Sequence, residues 1–250
     1  TADTARVTVH AGATLGGTGT IGTTPGTREV VVENGGFLAP GDVDPSTCSS
    51  LAGRLTVNGD VTLQAGSTFR VQLGGMTAGV DYDQLRVNGA VNLSGSLGGA
   101  GGAVLDISFG YSVAWGSLWR IIDNDLADSI ETRFQGLPDG APVVPGVEIA
   151  YRAGDDSNDV VLTAPGHFDF DGPVTAPGYV SVPLSLRYAD TPANDFGWSA
   201  AAPPLASFDR GLADALRSDG HYGYDGTFLV DVPVAGDYVV TPLIGDAAPF

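Results

Sequence analysis

A nine-residue frame occurs twice, thirty residues apart, as Leu55-Thr56-Val57-Asn58-Gly59-Asp60-Val61-Thr62-Leu63 and Leu85-Arg86-Val87-Asn88-Gly89-Ala90-Val91-Asn92-Leu93. A looser copy stands earlier as Val7-Thr8-Val9-His10-Ala11-Gly12-Ala13-Thr14-Leu15. Each copy alternates apolar and polar residues, turns at a glycine and alternates again. Period two is the signature of a strand with one buried face. A short unit of this kind cannot bury that face alone, so it must stack on its neighbours. The pattern predicts a β-solenoid for the N-terminal part of the chain, an architecture that favours scaffolding over catalysis.

Composition limits what else the chain can be. Hydrophobic residues make up 43% of the 250, enough for a sizeable core. Glycine (37) and proline (16) together are about a fifth of the chain, below the roughly 25–30% of low-complexity sequences and in keeping with a turn-rich all-β protein. Twenty-nine acidic residues face eleven basic ones, all arginine, for a net charge of −18. That charge repels phosphate backbones and anionic lipid, so nucleic acid and membrane surfaces are poor partners. It suits divalent cations and salt-rich surroundings. Cys48 is the single cysteine, which excludes an intramolecular disulfide and a cysteine-based zinc site. No apolar run approaches the roughly 18 residues of a membrane-spanning helix, and no signal peptide stands at Thr1. The chain opens almost directly into repeat pattern, as a trimmed piece of a longer protein would.

Along the chain, Val30-Val31-Val32 reads as a strand leading to the turn Asn34-Gly35-Gly36, and Asp42 to Ala52 as a loop carrying Cys48. Residues 53–73 form two strands, residues 80–97 repeat them, and Gly98 to Gly102 is a flexible break. Leu105–Phe109, Trp115–Ile122, Val147–Tyr151 and Val160–Thr163 are strand-like, and Trp115 and Trp119 are candidate capping residues. Helical periodicity is nearly absent.

The order of these pieces carries a resemblance. Gly35-Gly36-Phe37-Leu38-Ala39-Pro40-Gly41, the frame at Leu55–Leu63, Gly66-Ser67-Thr68-Phe69, Asp83-Gln84-Leu85-Arg86-Val87-Asn88-Gly89, Phe134-Gln135-Gly136-Leu137-Pro138 and Asn158-Asp159-Val160-Val161-Leu162-Thr163 follow one another. The series resembles the autotransporter-associated β-strand repeats of passenger domains, over about residues 7–163. The family implies a right-handed parallel β-helix, exported and displayed at or beyond the cell surface. No membrane β-barrel follows here, so export by that route is not implied.

Ala164-Pro165-Gly166 reads as a linker, after which the frame disappears. His167-Phe168-Asp169-Phe170-Asp171-Gly172-Pro173, Ala176-Pro177-Gly178-Tyr179, Phe196-Gly197-Trp198, Phe208-Asp209-Arg210-Gly211, Thr227-Phe228-Leu229-Val230-Asp231-Val232-Pro233, Gly236-Asp237-Tyr238 and Ile244-Gly245-Asp246 come in sequence. They resemble the galactose-binding-like β-sandwich found beside pectin-active esterases and lyases and in bacterial surface proteins. That sandwich normally continues past Gly-Asp, so residues 167–250 are expected to form a partial one. The expected organisation is 1–163 β-helix, 164–166 linker and 167–250 sandwich, all-β throughout. Ser207 to Ser218 fits either one short helix or a long loop.

Candidate sites are sparse. Gly17-Thr18-Gly19-Thr20-Ile21-Gly22 matches the dinucleotide fingerprint, which requires a following helix; Pro25, Gly26 and a β-branched run follow instead, so these read as turn glycines. Asp155, Asp156, Asn158 and Asp159, and the cluster Asp123-Asn124-Asp125, are oxygen-rich in the way calcium requires. Neither has an EF-hand loop, and a solvated turn is the preferred reading, with calcium as the one candidate cofactor. His10, His167 and His221 are scattered without an i, i+4 pair, and no nucleophile elbow occurs. Acid pairs about 5–10 Å apart for glycoside hydrolysis are not legible from spacing. Trp198, Arg210, Tyr222 and Tyr224 are the ligand candidates: aromatic faces stack on sugars, and Arg forks to hydroxyls or carboxylates. Packing is the stronger reading for Trp198 and Arg210, whose motifs build the sandwich.

The expectation is a non-enzymatic extracellular or cell-surface structural or adhesive segment, with a glycan or another surface protein as partner and no nucleic acid or membrane insertion. A carbohydrate-binding accessory region of a larger polysaccharide-active enzyme is the alternative. Third comes self-association, in which another subunit completes the sandwich by adding a strand.

Overall fold

The computed structural model describes residues 6–23, 28–43, 50–110, 113, 116–124, 129–153, 158–170, 179–189, 196–199, 206–209, 219–222, 226–231 and 240. All regular structure among them is β-strand. The chain separates into two compact units, Thr1–Ala164 and Pro165–Phe250.

In the first unit the chain visits three sheets in turn, four times over. The first pass comprises β1 (Arg6–Val9), β2 (Thr14–Gly17) and β3 (Gly19–Ile21). The second has β4 (Arg28–Val32), β5 (Phe37–Pro40) and, after the short pair β6 (Asp42–Val43) and β7 (Ser50–Leu51), β8 (Arg54–Val57). The third has β9 (Gly59–Leu63), β10 (Thr68–Leu73) and β11 (Gln84–Val87). The fourth has β12 (Val91–Asn92), β13 (Val104–Phe109) and β14 (Leu118–Asn124). Strands of successive passes pair in parallel: β1-β4-β9-β12 in the first sheet, β2-β5-β10-β13 in the second, β3-β8-β11-β14 in the third. The third sheet then reverses. β15 (Pro142–Val144), β16 (Val147–Ala153) and β17 (Asp159–Thr163) add antiparallel, through β17 on β14.

The two strict copies of the frame lie in register. Leu55 pairs with Leu85 and Val57 with Val87 in the third sheet, and Val61 pairs with Val91 in the first. The turn between those sheets stacks too: the Asn88 amide donates to the Asn58 side-chain oxygen, and the Asn58 amide donates to the Gly22 carbonyl at 2.9 Å. The looser copy at Val7–Leu15 belongs elsewhere. It spans the corner between the first and second sheets, with Val7 on Val30 and Leu15 on Leu38. A second motif marks that corner, where Gly12 N–H donates to the Gly35 carbonyl (2.8 Å), Gly35 to Gly66 (3.0 Å) and Gly66 to Gly102 (3.0 Å). All four glycines have φ between 76° and 97°, a turn conformation that a side chain disfavours.

Alternation sends one row of each strand inward. Val30, Val32, Leu38, Val57, Val61, Leu63, Phe69, Leu73, Leu85 and Val87 are fully buried. Phe69 stacks on Phe134, ring centroids 6.0 Å apart, and Trp119 buries its ring while donating Nε1–H to the Gly75 carbonyl at 2.9 Å. Two expectations need correction, and one strand was not foreseen. The stretch from Asp42 carries a β-pair, with Asp42 on Leu51, rather than loop alone. Gly98 to Gly102 is tied down, since Gly99 N–H donates to Ser96 and Gly136 N–H donates to Gly99, both at 2.8 Å. β15 gave no signal, because Pro142 hid a three-residue edge strand.

The second unit shows three two-stranded pairs: β18 (Phe168–Asp169) with β19 (Val180–Ser181), β20 (Phe196–Trp198) with β23 (Phe228–Val230), and β21 (Ala206–Asp209) with β22 (Asp219–Tyr222). The expected Ser207–Ser218 helix or loop begins as strand, and residues 210–218 lie outside the described residues, as do Cys48 and Trp115.

Candidate functional site

Among the described residues of the first unit, a polar constellation lies on the third sheet, where the parallel strands meet the antiparallel ones. Alternation buries Leu85 and Val87 and leaves Arg86 on the other face of β11. The Arg120 guanidinium on β14 stands 2.9 Å from the Asp159 carboxylate and 3.5 Å from Asp123, and Arg86 stands 3.9 Å from Asp123. Asp159 is almost completely buried and also accepts the Asn124 N–H at 2.9 Å. The Gln84 amide donates to the Arg120 carbonyl at 2.9 Å, and Arg120 N–H donates to the Tyr82 hydroxyl at 3.3 Å. Burial raises the Tyr82 hydroxyl above its ordinary pKa; the Arg120 N–H and the charges of Arg120 and Arg54 oppose that rise.

Asp83 is a buried carboxylate with a large shift. Its exposure is 2%, and burial pushes its pKa up to about 6, against the pull of two backbone N–H donors. Those donors are Gly53 and Gln72, each at 2.9 Å, one to each oxygen. The adjoining backbone reciprocates, as Asp83 N–H donates to Gln72 and Gln84 N–H to Gly53, both at 2.9 Å. A pKa near 6 would suit a general acid. The geometry suits a clamp instead: both oxygens are spent on main chain, and little of the residue meets solvent. Asp81, two residues earlier, is half-exposed, and hydrogen bonds from Thr77 hold its pKa below the usual value.

The expected sites fare unevenly. Asp159, a calcium candidate, has both oxygens engaged by Arg120 and Asn124, and Asn158 beside it is buried. Asp155, Asp156 and Asp125 lie outside the described residues. Among the described residues no three His, Cys, Asp or Glu side chains gather as a metal would need. The Gly17–Gly22 match runs through β3, and the next described element is the strand β4, so among the described residues no helix follows it.

In the second unit Trp198 is 8% exposed. Its ring lies 5.3 Å from His221, 5.5 Å from Phe228 and 5.7 Å from Phe170, inside a cluster that also includes Phe168 and Phe196. That is the packing role weighed against sugar stacking, and it leaves little of the ring to a ligand. Tyr222 falls on β22 with only its backbone described, and Arg210 and Tyr224 lie outside the described residues. The other histidines have separate partners: His10 is 2.8 Å from Glu33 on an exposed surface, and His167 stacks on Tyr179 at 4.9 Å.

No family model, curated protein or solved structure matches the chain.

Sequence reasoning passed over Asp83 and the Arg120–Asp159 pair. A signal for Asp83 existed. The thirty-residue period sets it opposite Gly53, the residue whose N–H it takes. Arg120 and Asp159 come together only through the antiparallel strand, which no repeat announces.

Proposed function

We propose that this chain is a non-enzymatic structural or adhesive segment, exported to the cell surface or beyond. In this reading residues 1–163 wind as a right-handed parallel β-helix, and 167–250 form a partial galactose-binding-like sandwich that the helix presents. The observation that carries it is the in-register stacking of the repeated frame, Leu55 on Leu85 and Val57 on Val87, continued by the Asn58–Asn88 amide bond at the turn. Right-handed winding rests on the resemblance and on the strong preference of parallel crossovers for that hand. The non-enzymatic part draws support from the polar groups themselves. Asp83, Asp123 and Asp159 are each engaged by backbone N–H groups or arginines, as in a braced scaffold.

The test is incubation of the purified chain with a panel of plant and bacterial polysaccharides, read by reducing-end release and by glycan-array binding. No turnover is expected. Sustained turnover would overturn the scaffold reading; saturable glycan binding without turnover would instead favour the accessory-module alternative.

A further inference from the structure

The second sheet ends on a strand that is built like an interior one. β13 is six residues long, reads Val-Leu-Asp-Ile-Ser-Phe, and among the described residues pairs with β10 alone. The inward rows of the two strands differ. Phe69, which pairs with Leu38 on one side and Leu105 on the other, is fully buried, and Val71 and Leu73 beyond it are at most 1% exposed; Leu105, Ile107 and Phe109 on β13 stay half-exposed. The backbone is polarised in the same way. Val104 N–H donates to Ser67 and Gly110 N–H to Leu73, both at 2.8 Å, so the even-numbered residues face β10. In a parallel ladder alternate residues face alternate neighbours, so the N–H and C=O groups of Leu105, Ile107 and Phe109 point to the open edge. Natural edges are usually blunted by charged side chains, lysine above all, by proline or by a bulge. β13 has no lysine, proline or bulge; its one charge, Asp106, is paired with Arg70, and its register with β10 is unbroken.

We propose that the open edge of β13 is a docking site for an extended strand of another polypeptide, alternating apolar residues inward with a cationic residue outward, opposite Asp106. The chemistry of the partner follows from the strand that already fits. β10 places Phe69 beside Leu105 and Arg70 beside Asp106, with Arg70 3.2 Å from the Asp106 carboxylate. A strand on the free side continues both rows, covering the half-exposed apolar residues and giving Asp106 a second cation. A second copy of this chain fits less well, because it would bring a net charge of −18 against another −18. This surface goes beyond the scaffold reading and does not depend on the sandwich.

The probe is a fluorescently labelled peptide with the sequence of residues 67–74, titrated into the full chain and followed by anisotropy. Saturable binding is expected. It should disappear when prolines replace both Val71 and Gln72 of the peptide, because one of those two adjacent N–H groups faces the edge whichever way the strand runs, and proline has none to donate. It should weaken roughly fivefold to tenfold with Asp106→Arg, as a cross-strand attraction becomes a repulsion. Circular dichroism confirms that the variant is folded. No saturable binding to the folded chain overturns the proposal, as does binding indifferent to the prolines. Loss with the prolines but not with Asp106→Arg overturns the cationic partner. A chain that dimerises through this edge, judged by sedimentation and by refusal of the peptide, shows a second copy to be the occupant and overturns the assignment too.

Discussion

Gly59 sits where two passes of the backbone touch. A Cβ there would overlap the Arg28 carbonyl, and one at Gly89 would stand 2.5 Å from the carbonyl of Gly59. The glycine of the repeated frame is thus fixed by close approach. Gly59→Ala is expected to destabilise the first unit by about 3 kcal/mol or more, seen as a lower denaturant midpoint, because backbone cannot yield as a side chain can. Asp83 gives a pH signature. Its folded pKa, about 6, lies above the ordinary 3.8, so its stabilising contribution is fully present below about pH 4 and is lost as pH rises through 6. The difference in unfolding free energy between the native chain and Asp83→Asn should therefore shift in favour of the variant between pH 4 and 6, by urea denaturation. A difference constant over that window would show that the carboxyl is not desolvated. The glycine was legible in the sequence as a turn signal. Asp83 was signalled only by the thirty-residue period that sets it opposite Gly53; Asp81-Tyr82-Asp83 offers two acids of one type, and only the fold leaves the first half-exposed and buries the second.

At the scale of the element, the strands repeat but their surroundings do not. β9 and β10 were readable from alternation alone, and their core rows are fully buried. The pairing partners were half-readable: the thirty-residue period gave β8 on β11, whereas the looser copy misled because Val-x-Val also opens the other corner. The antiparallel strands β15 to β17 were beyond reach as a sheet, since nothing local distinguishes a strand that reverses from one that continues. Phe69 tests how β10 joins the segment that carries Phe134. It contributes to β10 and stacks on Phe134. Phe69→Ala should cost about 3–5 kcal/mol in unfolding free energy, the range for a fully buried ring that leaves a cavity. A cost under about 1 kcal/mol would mean the ring is not packed as described.

For the whole molecule, charge is the dominant long-range influence. A net charge of −18 on 250 residues repels itself, whereas the cross-strand pairs Arg6–Glu29 and Arg70–Asp106 are exposed and contribute little. Raising sodium chloride from about 0.02 to 0.5 M, which shortens the screening length several-fold, should therefore raise the thermal midpoint. A fall would show that the ion pairs outweigh the repulsion. In the sequence the frame is lost after Thr163; in the structure the chain separates into the compact units Thr1–Ala164 and Pro165–Phe250. The partners of the second unit's short strands were not legible, because its aromatic residues, such as Phe170 and Trp198, are spread through the sequence and converge only in space. The parallel register of the first unit has a mechanical consequence. Its strands lie across the stacking direction, so a pull along that direction opens one row of hydrogen bonds at a time and yields at low force. A pull along the strands loads every bond of a sheet together in shear, so the unit is soft along one axis and stiff along another.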